Sequence, residues 1–339
     1  TVERFQRTRG VLRLMAAVVH ELWTSNDQSP LIMPGTLPLH AQPVQSGFVE
    51  YLPDSWNAVI DGDVDGPGSV PEQLDQGNQR LGTMSAARKV ARTIFLGSAP
   101  SVREQHVCGI ETVRVLLGTA APDDQIAVYN DALGKLVERA AHLYQQSGRY
   151  WFDDQPTLRK VMEERAQRIE NDDVLAEIER RLQAERPRGV FRGVHQCPDC
   201  GNVSDEQQVR LVILGPEQTH RNGRRDTPGM LAAWEILNSR DTVPRQHKNM
   251  LLFVAPDEVD VRHVGKAARE YLAWASIISD WEDLNLDAHQ KRQAEEGKRR
   301  ANSTTDDRLN AAYLWLLVPE QEGTAPIEIK PVRIAGTDG

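Results

Sequence analysis

Cysteine is scarce in this chain of 339 residues, which contains only Cys108, Cys197 and Cys200. Three cysteines cannot build the disulfide framework of a small secreted domain, so a reducing compartment is the simpler setting. The sequence also lacks an apolar run of the roughly 20 residues that span a bilayer, and its N-terminus lacks the apolar core of a signal peptide. We therefore expect a soluble, cytoplasmic protein with no membrane partner.

Positive charge is in deficit, because 40 Lys and Arg face 49 Asp and Glu and the formal net charge is -9. A chain with a negative net charge is not expected to bind DNA or anionic membranes non-specifically, although it can still have a local basic surface. The GxxxxGK[ST] motif is missing, so the chain cannot cradle nucleotide phosphates as a P-loop does. The sequence also lacks the HExxH motif and the nucleophile elbow, so it contains no signature of a hydrolase.

The length predicts more than one hydrophobic core, because a single core rarely organises more than about 250 residues. From Thr8 to Trp23 the apolar residues recur at helical spacing and predict an amphipathic helix. The following stretch, up to Gly82, is rich in Pro, Gly and Asp and predicts a connector with short helices at 44–52 and 54–60. We assign residues 1–82 to this helix and an irregular acidic connector.

Residues 83–153 predict a winged-helix domain. Three helical segments begin near residues 85, 109 and 123, and a hairpin signal at Ser147 and Gly148 follows them. Three helices followed by a hairpin are the order of a winged helix. The next segment, 154–187, is laced with charge and predicts one long spacer helix that ends at Pro187.

The predicted third helix and wing of this domain contain cations that could contact DNA phosphates. They are Lys135, Arg139, His142 and, at the wing tip, Arg149. The same helix contains the acids Asp124, Asp131 and Glu138. A strong DNA reader concentrates positive charge, so packing against protein or regulation is the preferred interpretation and DNA binding is the alternative.

Residues 188–335 predict an α/β domain. The stretches "VRLVILGP", "NMLLFVAPD" and "AYLWLLVPE" each contain a short apolar run followed by Pro, and helical segments lie between them. Continuous apolar strands that alternate with helices favour a mostly parallel sheet covered on both faces, as in a Rossmann-like domain. "GVFRGVH" and "IEIKPVRI" are the expected edge strands. The predicted fold class is therefore multidomain α/β.

The stretch "IDGDVDGPGSVPEQ" has acids at the spacing of a calcium-binding EF-hand loop. Asp61, Asp63, Asp65 and Glu72 occupy loop positions 1, 3, 5 and 12. Two prolines restrict the backbone inside this loop, and strong helices are not expected on both sides. We favour an acidic turn that caps neighbouring backbone amides, with calcium binding as the alternative.

Two further patterns are weak site candidates. His195, Cys197 and Cys200 in "HQCPDCGN" have the spacing of half a zinc site, which His220 could extend, but a polar turn with free thiols is preferred. Glu328 and Lys330 in "IEIKP" resemble the acid and lysine pair of restriction-type nucleases. Their alternation with isoleucines is more simply the polar face of a strand.

Several separated blocks of the sequence resemble one family. They are "ERFQRTRGVLRLMAAVVHELW", "IDGDVDGPGSVPEQLDQGNQRLG", "SAARKVARTIFLGSAP", "RYWFDDQPTL", and "NMLLFVAPD" with "YLAWASI". They resemble the part downstream of the nucleotide-binding core in large prokaryotic AAA+-type ATPases that are encoded beside DNA methyltransferases in phage-defence gene clusters. The start without Met and the loose end "IAGTDG" agree with a piece of a longer protein.

The resemblance implies a function for the chain and roles for its residues. The first helix would be the lid that follows the ATPase core, with Arg9, or failing that Arg7, sensing the γ-phosphate. The chain itself would have no cofactor and no catalysis, while ATP and magnesium would belong to the full-length protein. Its partners would be the missing N-terminal core and a DNA methyltransferase or other defence-cluster proteins. The rival hypotheses are a winged-helix module that targets DNA and a metal-dependent enzyme in the α/β domain.

Overall fold

The computed structural model describes residues 8–334, apart from residues 28, 30, 51, 99–108, 123 and 185–190. The chain divides into two compact units, Thr1–Lys160 and Val161–Gly339. Helices are combined with sheets of three, five and two strands. The predicted α/β class with more than one core is therefore confirmed. None of the helices in the described part of the chain combines the length and apolar character needed to cross a membrane.

The first half of unit 1 is mostly helical. Its elements are α1 (Thr8–Thr24), α2 (Gln42–Val49), α3 (Ser55–Val59), a π turn (Ile60–Val64), α4 (Val70–Gly77) and α5 (Gln79–Gly82). The predicted first helix and the two short helices are present. The irregular connector was wrong, because Leu39, Val44, Trp56 and Leu74 lie in the buried core of the unit. Its prolines misled the prediction, since Pro43 and Pro71 stand at helix starts, where proline is favoured.

The second half of unit 1 alternates helices with short strands. Its elements are α6 (Ala86–Ser98), β1 (Ile110–Glu111), α7 (Thr112–Thr119), α8 (Ile126–Arg139), β2 (Leu143–Gln146) and β3 (Arg149–Phe152). The strands form an antiparallel sheet in the order β1-β3-β2. The predicted hairpin is confirmed, and its turn residues Ser147 and Gly148 both have positive φ, as a two-residue hairpin turn requires. The sequence did not predict β1.

The single spacer helix predicted over 154–187 was wrong. The segment forms two helices, α9 (Leu158–Arg168) and α10 (Asn171–Ala184). Basic residues close α9 and Asp172 and Asp173 open α10, so the charges favour a helix end followed by a helix start. α10 is also not a spacer, because Val174, Ile178 and Leu182 pack in the core of unit 2.

A five-stranded sheet organises unit 2. The elements are β4 (Gly193–Gln196), β5 (Arg210–Ile213), α11 (Pro228–Asn238), a hairpin of β6 (Ser239–Arg240) and β7 (Val243–Pro244), β8 (Leu251–Ala255), α12 (Asp260–Ser279), α13 (Ala288–Ala312), β9 (Trp315–Glu320) and β10 (Glu328–Arg333). The strand order is β10-β9-β8-β5-β4. The expected edge strands β4 and β10 are confirmed.

The sheet is mixed, so the prediction of a mostly parallel sheet was wrong. β4, β5 and β8 run parallel, whereas β9 is antiparallel to both β8 and β10. The cause is the pair of helices between β8 and β9. α12 leads the chain away from the end of β8 and α13 brings it back, and the amide of Asp257 donates to the carbonyl of Ala312 at 2.8 Å. β9 therefore starts at the edge where β8 ends.

Helices cover both faces of this sheet. Val212 and Phe253 pack with Met230 and Ile236 of α11 on one face. Ile213, the neighbour of Val212, packs with α10, α12 and α13 on the other. Successive side chains of a strand point to opposite faces, which explains the division. Unit 2 is thus a three-layer arrangement around the sheet.

Candidate functional site

The acidic stretch of unit 1 has Asp65 at the centre of a buried ionic cluster. One oxygen of the carboxylate accepts from Arg92 Nη2 at 2.7 Å and from Arg88 Nε at 2.9 Å. The other accepts from the backbone amide of His40 at 2.7 Å and contacts its Nδ1 at 3.1 Å. Asp65 is fully buried. The carboxylate therefore ties α6 to the segment before α2.

The charges around Asp65 outweigh the cost of burying it. Burial alone would raise the pKa of this carboxyl, but the hydrogen bond from His40 and the cations Arg92 and Arg88 lower it below its usual range. Arg92 is itself buried, and its Nη1 donates to the carbonyl of Gly35 at 3.3 Å. Its Nε has no hydrogen-bond partner in the described part of the chain. The cluster therefore has a structural role, in which the Asp65 carboxylate neutralises the buried guanidinium of Arg92.

The other acids of the calcium-like pattern face different partners. Asp63 accepts from the amide of His142 at 2.7 Å and contacts its Nδ1 at 2.8 Å, while Asp61 accepts from Gln45 Nε2 at 2.8 Å. Glu72 lies in the first turn of α4, where Ser69 is the N-cap, and accepts from the amide of Gly68. Its other oxygen is 4.0 Å from Nη1 of Arg88. These carboxylates do not converge on one point. Across the described residues, no group of three or more His, Cys, Asp or Glu side chains could hold a metal ion.

The residues of the zinc hypothesis are also separated. Cys197 packs in the apolar cluster of α10 and α12, whereas Cys200 packs in the cluster of α11. Burial raises the pKa of the Cys197 thiol to about 12. His195 lies beside Arg210, with 3.4 Å between Nε2 and Nη1, and His220 is fully buried with its Nδ1 2.9 Å from Thr227 Oγ1. Cys108 lies outside the described residues.

Glu328 and Lys330 of β10 are on the exposed face of an edge strand. Lys330 Nζ pairs with Glu320 of β9 at 2.6 Å, and Ile329 between them is buried. This is the alternation that a half-buried strand requires.

The cations proposed for DNA contact are engaged with other side chains. Lys135 pairs with Asp131 one turn earlier on α8 at 2.6 Å, and Arg149 pairs with Glu111 of β1 at 2.7 Å. Arg139 donates to Gln73 Oε1 at 3.4 Å. Two acids, Asp131 and Glu138, share the exposed side of α8 with Lys135 and Arg139. Positive charge is therefore not concentrated there.

The first helix places Arg9 at the mouth of a cleft. Arg9 and Arg13 of α1 line it together with Pro43 and Ser46 of α2 and Glu50, which follows that helix. The two helices approach closely at Gly47, where a Cβ would lie 3.0 Å from Leu14 Cδ1. Arg7, the alternative sensor, lies outside the described residues.

The side of α1 that does not meet the core is apolar as well. We call it the open face, and it consists of Leu12, Met15, Ala16, Val19 and Trp23, all of which are exposed, with the exposed His20 beside them. On the opposite side, Leu14, Ala17, Val18 and Leu22 pack against the core. The sequence predicted one apolar face on this helix. Its apolar residues cover more of the helix surface than one core-facing side requires, and this excess was the signal of a second apolar face.

Comparisons of the chain with protein-family models, with curated proteins and with solved structures give no match. The similarity to AAA+-type ATPases therefore stays a hypothesis about this chain. Three features of unit 1 bear on function: the cation cleft between α1 and α2, the open face of α1, and the paired charges on α8 and β3.

Proposed function

We propose that this chain is the non-catalytic C-terminal coupling region of an AAA+-type ATPase and that residues 83–153 form a winged helix that packs against protein. Support for the domain type comes from the order helix, strand, helix, helix, hairpin and from the sheet order β1-β3-β2. For unit 2, the three parallel strands between two helical layers support a Rossmann-like origin. The free thiols of Cys197 and Cys200 agree with a cytoplasmic setting.

The pairing of Lys135 with Asp131 is the observation that favours protein over DNA as the target of the winged helix. A cation that neutralises a phosphate releases counterions from DNA, and that release supplies much of the affinity. Lys135 already has a carboxylate partner, and Arg149 at the hairpin has another. DNA would have to displace both acids before it gained these contacts. A protein partner with both positive and negative charges can bind this surface without breaking these ion pairs.

Retardation of duplex DNA over a series of salt concentrations tests this part of the proposal. We expect weak binding by the native chain. Asp131→Ala, which frees Lys135, should tighten DNA binding and make the logarithm of the affinity fall more steeply with salt, by about one counterion. Lys135→Ala is the matched control and should leave the weak binding unchanged. A nanomolar, sequence-specific complex that Arg139→Ala abolishes would replace this proposal by the DNA-targeting one.

Arg9 is the proposed nucleotide sensor. It lies at the start of α1 and borders the cleft, and among the described residues it has no ion-pair partner within 4.0 Å. A planar guanidinium can pair with two phosphate oxygens. When hydrolysis removes the phosphate, this contact is lost and the helix that contains the arginine can move. ATP and magnesium would be held by the N-terminal core, and a DNA methyltransferase or another defence-cluster protein would be a further partner.

The test of the sensor uses the intact ATPase. Arg9→Ala should leave the melting temperature unchanged but slow hydrolysis by about 2–4 kcal/mol in activation free energy, because a cation at the γ-phosphate acts where charge develops. Arg9→Lys should recover only part of the rate, since it lacks the planar fork. Arg114→Ala, an exposed arginine of α7, is the control. Equal, small effects of Arg9→Ala and Arg114→Ala would make Arg9 an ordinary surface residue.

A further inference from the structure

We infer that the open face of α1 is the interface through which two copies of this chain associate, with their first helices antiparallel. The face is independent of the proposed nucleotide sensor, which uses the cleft on another side of the helix. Trp23 is 85% exposed and Leu12 is 67% exposed. Large apolar side chains stabilise an interface because they are removed from water when it forms. Several of them exposed together on one helix therefore indicate an interaction surface.

The area of the surface matches what one partner contributes to a stable dimer. Val11, Leu31 and Ile32 are exposed large apolar residues near the open face, and Leu31 and Ile32 border the same hollow as Val19 and Trp23. At about 30 Å² for each apolar carbon and 150–250 Å² for a large aromatic, the exposed parts of these side chains amount to roughly 600 Å². A standard interface uses about 800 Å² per partner, of which about 500 Å² is apolar.

The spacing of the residues fits a second copy as the occupant. Leu12, Ala16, Val19 and Trp23 are separated by four, three and four residues, and this series is the same in both directions. Two such helices placed antiparallel about a two-fold axis bring Leu12 opposite Trp23 and Ala16 opposite Val19, twice over. An isologous interface requires this self-complementarity.

Two further properties of α1 fit an antiparallel pair. Ala16 is the smallest residue of the open face and lies near its middle, so it allows the two backbones to approach closely beside the Val19 of the other copy. The macrodipoles of antiparallel helices are opposed, which places the positive end of each beside the negative end of the other. The wide aromatic Trp23 then covers Leu12 in the second turn of the partner helix.

Sedimentation of the whole chain across a concentration series tests the inference. We expect a reversible equilibrium between one chain and two. Val19→Glu at the centre of the open face should raise the dissociation constant about thirty-fold or more, the effect of losing a central contact residue. Leu117→Glu on α7 is the matched control, since Leu117 is 75% exposed but outside the open face. It should leave the equilibrium unchanged.

Cross-linking through cysteine tests the orientation. Chains with Leu12→Cys and chains with Trp23→Cys should form a disulfide-linked pair when they are mixed and oxidised, and neither should do so alone. The wild-type chain controls for its native cysteines. In a parallel pair each variant would cross-link by itself, and that outcome would overturn the antiparallel arrangement. A chain that stays single at every concentration, or a dimer that tolerates Val19→Glu but dissociates with Leu117→Glu, would overturn the interface.

Discussion

Replacing Asp65 by alanine should destabilise unit 1 by about 3–5 kcal/mol, the cost of removing one partner from a buried ion pair. The carboxylate is the acceptor for Arg92, for Arg88 and for the amide of His40. Without it the buried Arg92 guanidinium keeps, among the described residues, only the carbonyl of Gly35 and a contact of 3.3 Å with His40 Nδ1. Arg88 is more exposed and can turn toward water, so Arg92 accounts for most of the loss.

The assay should report on unit 1 alone, because two units need not unfold together. Native-state hydrogen exchange of the α6 amides between Ala91 and Phe95 does so, since these residues lie in the core of that unit. Asp61→Ala is the matched control on the same turn. Asp61 is exposed and bonds only to Gln45 in the described structure, so its loss should change stability by less than about 0.5 kcal/mol. Equal effects of the two substitutions would refute the assignment of Asp65 as the centre of the cluster.

The pH dependence of this difference has a defined sign. The folded-state pKa of Asp65 is lowered, because the His40 hydrogen bond and the Arg92 and Arg88 charges outweigh the burial that raises it. A carboxyl of this kind contributes its full stability above the unfolded pKa of about 4 and loses it as the pH falls through the folded pKa. The stability difference between wild type and Asp65→Ala should therefore be constant from neutral pH to about pH 4 and shrink below it. A difference that grew with acid would contradict this account.

Three other outcomes are expected. Arg245→Ala should destabilise unit 2 by about 3 kcal/mol in urea unfolding, because the guanidinium donates to three backbone carbonyls that would lose their donor, whereas Arg240→Ala on the exposed hairpin should be nearly neutral. Cys197, with its pKa raised to about 12, should react slowly with iodoacetamide at pH 8 in the native protein and quickly after unfolding; rapid native labelling at this residue would contradict the raised pKa. Millimolar calcium should leave the melting temperature unchanged, and a rise that Asp61→Ala abolishes would restore the EF-hand hypothesis.

Local patterns in the sequence predicted the elements whose cause is local. The 3.6-residue period predicted α1 and α6 to α8. Ser147 and Gly148 predicted the hairpin, because glycine accepts the positive φ of such a turn. The alternation around Ile329 gave the last edge strand. Each of these depends on neighbours within a few positions, so one sequence is sufficient.

The partners of the acids could not be predicted in this way. Asp65 meets Arg92, which is 27 residues away, and Asp63 meets His142, which is 79 residues away. Alternate aspartates look the same whether they surround a cation or face separate partners. The π turn adds to the difficulty, because its wider winding aims Asp63 and Asp65 in directions that neither a helix nor a loop rule gives.

The direction of β9 shows a second kind of failure. A strand, a helix and a strand in succession predict that the two strands are parallel. Here two helices follow β8 and return the chain to the end of the sheet where β8 finishes, so β9 is antiparallel to β8. The sequence "SDWEDLNLD" between α12 and α13 contained the signal, since it separates the two helical segments. The break between α9 and α10 was likewise visible in the change from basic to acidic residues.

The return of α13 to the starting point of α12 makes the strand order independent of how far the two helices extend. Their ends meet at the hydrogen bond between Asp257 and Ala312, so β8 and β9 would remain neighbours whatever the length of chain between them. Residues added or removed around Asp280–Asp287 would lengthen or shorten the pair by whole turns without shifting a strand. Evolution can therefore alter the reach of this part of the molecule independently of the sheet, and the same site suits the insertion of a reporter domain.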